Sequence, residues 1–446
     1  MLRVVTTVAV VSAGAYSAIR SGKATVLCRR VRRMCLRTLS HSPLKSATVM
    51  CKAGAPQGKI SVLPSRYPKV KRETDVVEKL HGVEVADPYR WLEEPDSPET
   101  KAFVTDQNKL TESVLETCGN RRHFKDLITK MMDYPKYGCP FKRGDRYFFF
   151  YNSGLQAQYV LYSQASLDEE PTVLLDPNTL SSDGTVSLGS YTFTEDGRLM
   201  AFELSTGGSD WRKIRFLAIK DDGSAAWLPD ELHNVKFSSL SFTKDSKGLF
   251  YNTFEAPEGV DLGTETDINL NQQLRYHALG TRQSDDPVVF ATPESPEQMI
   301  GARVTKDGRY LLMSISSGCL PTNKLYYVDL SGLKRTASGA VDFAAYDLLK
   351  GKEPLPVVRL VDNFDASYDY VANDGSTFVF HTNLGAPRYR LVKADLSMGL
   401  PPEQWTDLVP QHSKDLLESA VAVAGDRLVV EYLRDVAGVL QVRDLW

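Results

Sequence analysis

The first 60 residues of this 446-residue chain contain no aspartate or glutamate, and no Asn-x-Ser/Thr sequon occurs anywhere, which argues against secretion. Six cysteines, at 28, 35, 51, 118, 139 and 319, have no short repeated spacing, which excludes a disulfide-stapled scaffold and a zinc ribbon. They read as free thiols in a reducing compartment. The apolar stretch at residues 4–19 is broken by Thr, Ser, Ala and Gly and falls short of the ~20 residues a bilayer requires, so no stable membrane span is expected. Gly-x-Ser-x-Gly, Gly-x-x-x-x-Gly-Lys-Ser/Thr and His-Glu-x-x-His are all missing. The cluster nearest to a nucleophile elbow, Thr206-Gly-Gly-Ser209-Asp-Trp211, has the wrong spacing and lies between two strands.

Charge is divided unevenly. Residues 1–60 hold eleven Lys and Arg, leaving 42 bases against 56 acids in residues 61–446. That remainder has no basic stripe able to neutralise a phosphate backbone, so nucleic acid is not an expected partner. In the leader most of the charge follows the apolar stretch, at Cys28-Arg-Arg-Val-Arg-Arg-Met-Cys35. This order is unlike a secretory signal and matches the composition of an organelle presequence. Residues 1–60 are taken as a disordered basic leader outside the fold. The expected location is the cytoplasm, or the mitochondrion if the leader acts as an address.

The seven histidines, at 41, 81, 123, 233, 277, 381 and 412, are scattered singly, without a cysteine or paired carboxylate beside them. Each reads as a surface or hydrogen-bonded core residue. No catalytic residue, metal ligand or cofactor-binding residue is nominated, and no cofactor is expected. The residues alone describe a chain that binds or shields something.

Residues 61–133 read as an N-terminal helical segment. Asp87-Pro-Tyr-Arg-Trp-Leu-Glu-Glu-Pro95 is irregular because each proline biases the residue before it away from helix. Ser97-Pro98-Glu99 supplies an N-cap, an N1 proline and a first-turn acid, and Phe103, Leu110 and Val114 follow at helical spacing toward Gly119. A second stripe, Phe124, Leu127, Ile128 and Met131, stops before Pro135.

From residue 134 the hydrophobic period changes to 2. Strands are predicted over 146–151, 158–162, 172–175, 198–203, 213–219, 248–252, 309–315, 324–329, 377–381, 388–393 and 427–432. A polar turn feeds a strand six times, at Gly144, Gly197, Gly248, Gly308, Gly375 and Gly425, with intervals of 53, 51, 60, 67 and 50 residues. That is the period of four-stranded propeller blades. Asp222, Asp329, Asp395 and Asp444 each follow a strand and mark the close of a blade's third strand. The fold expected for 134–446 is therefore an all-β propeller, incomplete, with about six blades and the last lacking its outer strand.

Asp87-Pro-Tyr-Arg-Trp-Leu-Glu93, Asp133-Tyr-Pro-Lys-Tyr137, Gly207-Gly-Ser-Asp-Trp211, Gly263-Thr-Glu-Thr266, Tyr276-His-Ala-Leu-Gly-Thr281 and Asp362-Asn-Phe-Asp-Ala-Ser-Tyr-Asp-Tyr370 resemble prolyl oligopeptidase over residues 67–446. The resemblance implies a seven-bladed propeller inserted into an α/β-hydrolase domain, with residues 67–133 packing on that hydrolase. It implies a serine-type endopeptidase cleaving short peptides after proline, its Ser-Asp-His residues lying in a C-terminal hydrolase segment absent from this sequence. Phe237 and Cys319 match positions that line the substrate cavity from the propeller side, against the plainer readings of a core aromatic and a small buried hydrophobe. Asp210 matches a residue that pairs with an arginine of the hydrolase domain. Ser316 stands where the family has a substrate-contacting arginine, a loss of a bidentate donor that weakens ordinary peptide affinity. The alternative is a catalytically inactive propeller fragment acting as a binding or interaction module.

Overall fold

In the computed structural model the described residues are 62–256, 263 and 268–446; the basic leader lies outside them, as do residues 257–262 and 264–267. An exposed hairpin, Val77–Leu80 with Val83–Ala86, precedes two helices, α1 (Pro98–Leu115) and α2 (Arg121–Met132). The side chain of Ser97 caps α1 by accepting from the Thr100 N–H, with Pro98 at the first helical position. Trp91 packs edge-on against Phe103, which anchors the irregular Asp87–Pro95 stretch to α1. No residue of α2 is buried, and Phe124, Leu127, Ile128 and Met131 form an open apolar stripe.

Six small antiparallel sheets follow as the blades of a propeller. Blade 1 has an inner strand interrupted at Cys139-Pro140 (Lys136–Tyr137 and Phe141–Arg143), then Arg146–Asn152, Val160–Gln164 and Thr172–Leu175. Blade 2 is Val186–Phe193, Leu199–Thr206, Arg212–Ile219 and Ala225–Val235. Blade 3 is Ser241–Phe242, Gly248–Thr253, Gln273–Ala278 and Val288–Ala291. Blade 4 is Gln298–Val304, Tyr310–Ser317, Asn323–Asp329 and Val358–Val361, and blade 5 is Tyr368–Asp374, Thr377–Thr382, Arg390–Asp395 and Thr406–Val409. Blade 6 has three strands, Leu416–Val423, Arg427–Arg434 and Ala437–Asp444. First strands of successive blades touch one another, 186–193 with 241–242 and 241–242 with 298–304, so they lie nearest the axis.

Each of the six glycine turns joins the first strand of a blade to its second, as the spacing predicts. In blades 2, 3 and 4 the turn is built the same way: Thr194, Thr243 and Thr305 donate to Asp196, Asp245 and Asp307 at 2.6–2.7 Å. Gly197 adopts φ 71° there, while in blade 3 Ser246 takes the left-handed position at φ 58°, two residues before Gly248. Third strands close at Asp329 and Asp395, whose side chains accept from Ser331 and Ser397 N–H and start short 3-10 turns.

Second strands are sandwiched, which explains why they are apolar on both faces. Met200 and Phe202 pack toward blade 1 while Ala201 packs toward blade 3; Phe378 and Phe380 face blade 4 while Val379 faces blade 6. Five buried clusters fill the five interfaces between successive blades. Among the described residues no such cluster joins blade 6 to blade 1. The outer face of blade 1 is an aromatic ladder of Tyr137, Phe149, Tyr151 and Tyr162, with Tyr137 65% exposed. Blade 6 leaves Val421, Leu440 and Val442 exposed.

By strand patterning Phe148, Phe150, Val160 and Leu161 at one end, and Val429, Val430 and Leu440 at the other, are the candidates for these open faces; Leu440 is exposed, Phe150 and Val429 are half-buried, and the structure corrects the rest. Phe148, Leu161 and Val430 are fully buried against the neighbouring blade, and Val160 nearly so. The period of 2 identifies the two faces of a strand but not which of them meets a neighbouring blade.

Candidate functional site

Strand direction sorts the loops into two sets. Loops joining second to third strands, and those leading to the next blade, lie on the face entered from α2; call it the upper face. The glycine turns and the third-to-fourth connections lie on the lower face. Asp210, Phe237 and Cys319 all fall in upper-face loops: 207–211, 236–240 and 318–322.

The 207–211 turn is held from within. Gly207 and Gly208 both take positive φ, Ser205 Oγ donates to the Ser209 carbonyl at 2.7 Å, and the Trp211 N–H donates to Ser209 Oγ. Asp210 is thereby presented to solvent, while Trp211 is buried. Lys236, itself buried, lays its Nζ 5.0 Å from the Trp211 ring centroid and 5.7 Å from that of Phe237. This cation links the Asp210 turn to the Phe237 loop.

Phe237 is not a core strand aromatic. It is 45% exposed, sits in a loop and adopts φ 49°, a left-handed conformation costly for a bulky residue. Buried Gln272 supports it, donating from Nε2 to the Phe237 carbonyl at 3.3 Å while its Oε1 accepts from the Ile300 N–H at 2.7 Å. Cys319 is likewise exposed rather than a buried hydrophobe, in a turn where Gly318 has φ 53° and Leu320 projects beside it. Ser316 is half-buried on the preceding strand, paired with Asn323 and Met299. The structure thus joins Trp211, next to Asp210, and Phe237 through one cation and places Cys319 on the same face two blades along.

A polar cluster that sequence reading took singly lies below this loop. His277 is buried between two buried carboxylates, with Nδ1 2.9 Å from Asp286 Oδ1 and Nε2 3.0 Å from Asp230 Oδ1. Burial disfavours its charge, but hydrogen bonds and charge from Asp286 and then Asp230 outweigh that and hold its pKa above the usual histidine value. Tyr251 donates to Asp286 Oδ2 at 2.7 Å, and burial pushes its phenol far up. The signal was weak because residues 230, 251, 277 and 286 come from two blades.

Among the described residues no serine hydroxyl is hydrogen-bonded to a histidine, and no group of three or more His, Cys, Asp or Glu is arranged to hold a metal ion. No described helix is long and apolar enough to cross a membrane.

Six radial antiparallel sheets behind a short helical segment define a β-propeller domain. Residues 68–446 match the family described as the prolyl oligopeptidase N-terminal beta-propeller domain, and the chain belongs to that family. It is 34% identical over 406 residues to prolyl oligopeptidase A of Amanita bisporigera, covering 85% of this chain and 50% of that one. It is 33% identical over 371 residues to the prolyl endopeptidase of Elizabethkingia meningoseptica, covering 83% and 48%. Among solved structures, prolyl oligopeptidase B from Galerina marginata bound to a 35mer hydrolysis and macrocyclization substrate superposes with a TM-score of 0.72 at 27% identity, covering 86% of this chain and 53% of that one. The chain spans about half the length of the curated relatives it matches.

Proposed function

We propose that this chain is a non-catalytic binding module: the propeller portion of a proline-specific serine endopeptidase, which receives short proline-containing peptides on its upper face. The Ser-Asp-His chemistry belongs to a hydrolase domain that docks there. What supports the reading most is the convergence of Asp210, Phe237 and Cys319 on the face that α2 enters, with Phe237 held exposed in a strained backbone. Such strain persists only where the surroundings enforce it. Asp210, solvent-facing at the rim, is placed for a cation of the hydrolase domain, and the open apolar stripe of α2 for its surface. A phenylalanine ring beside a buried cation offers an apolar surface for a proline ring, while Ser316 offers no bidentate donor to the peptide backbone.

The test uses the full chain and a fluorescently labelled short proline-containing peptide, read by anisotropy. Binding is expected, weakened by Phe237→Ala, with no turnover by the chain alone. Turnover should arise only when the hydrolase half of a relative such as the Elizabethkingia enzyme is added. Equal binding of a proline-free peptide, or indifference to Phe237→Ala, would remove the substrate reading. Turnover by the chain alone would remove the non-catalytic one.

A further inference from the structure

Both ring nitrogens of His277 face carboxylate oxygens, at 2.9 and 3.0 Å. A carboxylate offers only acceptors, so both contacts are hydrogen bonds only if both nitrogens carry protons. The carboxylates have further donors of their own. Asp230 Oδ1 accepts from the Gly280 N–H at 2.6 Å, and Asp286 Oδ2 from the Tyr251 hydroxyl at 2.7 Å. Arg275 adds positive charge nearby, donating to the Asp286 carbonyl. The ring of Phe216 covers the imidazole at 5.8 Å and brings no titratable group. Lys213, Arg215 and His233, on the neighbouring strands of blade 2, are engaged with Glu231 instead.

Asp230 lies on the outer strand of blade 2, whereas His277 and Asp286 belong to blade 3. A second link runs from the same cluster to the same strand. Gln283 donates to the Tyr251 hydroxyl at 3.3 Å and exchanges two hydrogen bonds with the His233 backbone, both at 2.9 Å. Immediately beyond His233 come Asn234, at φ 57°, and then Phe237, at φ 49°. The strand is therefore gripped at 230 and 233, just before the segment whose backbone is held left-handed.

We propose that His277 is a positioning residue held as an imidazolium, whose two N–H bonds clamp the outer strand of blade 2 to blade 3 and so fix the 234–237 segment that presents Phe237. When the proton leaves, one ring nitrogen turns a lone pair toward a carboxylate. The clamp then opens, and the loop loses its order while the rest of the propeller keeps its own. The proposal concerns the order of the loop, so it stands or falls independently of whether Phe237 touches a peptide.

Histidine-selective 15N NMR on the full chain tests the protonation state, with the exposed His81, His123, His233 and His412 substituted in turn to assign the spectrum. At pH 7 His277 should show two protonated nitrogens, and it should lose one only at alkaline pH. Hydrogen exchange, corrected for intrinsic rates, tests the positioning. Protection across 232–239 should fall about tenfold through that same titration while 377–382 in blade 5 holds. His277→Gln should reproduce the loss at pH 7 and abolish its pH dependence; if that variant fails to fold, the wild-type titration decides. A neutral His277 at pH 7, or an equal loss of protection in 232–239 and 377–382, would overturn the proposal.

Discussion

The Asp210 turn depends on a buried ion pair beneath it, and removing one partner of that pair should be costly in a diagnostic way. Glu203 and Arg212 lie on the second and third strands of blade 2, the two strands that the 207–211 turn connects. Arg212 NH1 is 2.6 Å from Glu203 Oε2, with the carboxylate side chain 1% exposed and the guanidinium side chain 29% exposed. The Ser190 N–H also donates to Oε2, at 3.1 Å, whereas Oε1 has no partner among the described residues. Gly189 leaves room for the pair, since a Cβ there would stand 2.6 Å from Arg212 NH1. Arg212→Met would strand the carboxylate with one backbone donor. Breaking such a pair costs ~3–5 kcal/mol, and the partial exposure of Arg212, which lets water reach the vacated space, puts the loss near ~3 kcal/mol. Glu203→Met alone should cost less, because the freed guanidinium can turn to solvent. In the double variant two methionines sit beside Ile214 with no charge left to solvate, and stability should return to within about 1 kcal/mol of wild type. Urea unfolding of the full chain, followed by tryptophan fluorescence, measures all four corners of the cycle. A double variant as unstable as Arg212→Met alone would refute the claim that the uncompensated carboxylate carries the cost.

Gly197→Ala should cost roughly 2 kcal/mol, because a left-handed residue there also brings its Cβ to 2.6 Å from the Arg143 carbonyl oxygen. Gly207→Ala, with similar φ and open space around it, should cost about half as much, and thermal melts compare the two. Asp362 is partly desolvated, yet hydrogen bonds from Tyr326, Lys324 and Arg359 hold its pKa down at about 2. A depressed carboxylate contributes stability above its unfolded pKa that is lost as pH falls toward the folded value. Asp362→Asn should therefore flatten the acid limb of the stability profile between about pH 4 and pH 2, as read by urea midpoints at each pH. Leu440→Lys with Val442→Lys should leave the melt unchanged, since both side chains are exposed, and should reduce self-association measured by light scattering.

Much of the architecture was legible one element at a time. The Ser97-Pro98 cap, the stops before Gly119 and Pro135, and the six turns all depend on residues within four positions of each other, which is the range of capping and turn chemistry. Sandwiched second strands such as Gly248–Thr253 were visible because both their faces are apolar. Inner and outer strands such as Val186–Phe193 and Ala225–Val235 were not, because each mixes polar and apolar residues without a regular period.

What the sequence alone determined was the repeat itself: a turn feeding a buried strand six times over, with a closing aspartate in four of the blades, from contacts local enough to be written in each segment. Tertiary structure decided which pleat of blade 1 meets blade 2 and which is left open, because both pleats carry aromatic residues and only the neighbouring blade tells them apart. It also decided that Phe237 is exposed and left-handed, that Lys236 joins it to Trp211, and that His277 sits between Asp230 and Asp286. Those arrangements bring together residues from different blades, and no local propensity records a partner that only the packing of one blade on the next supplies.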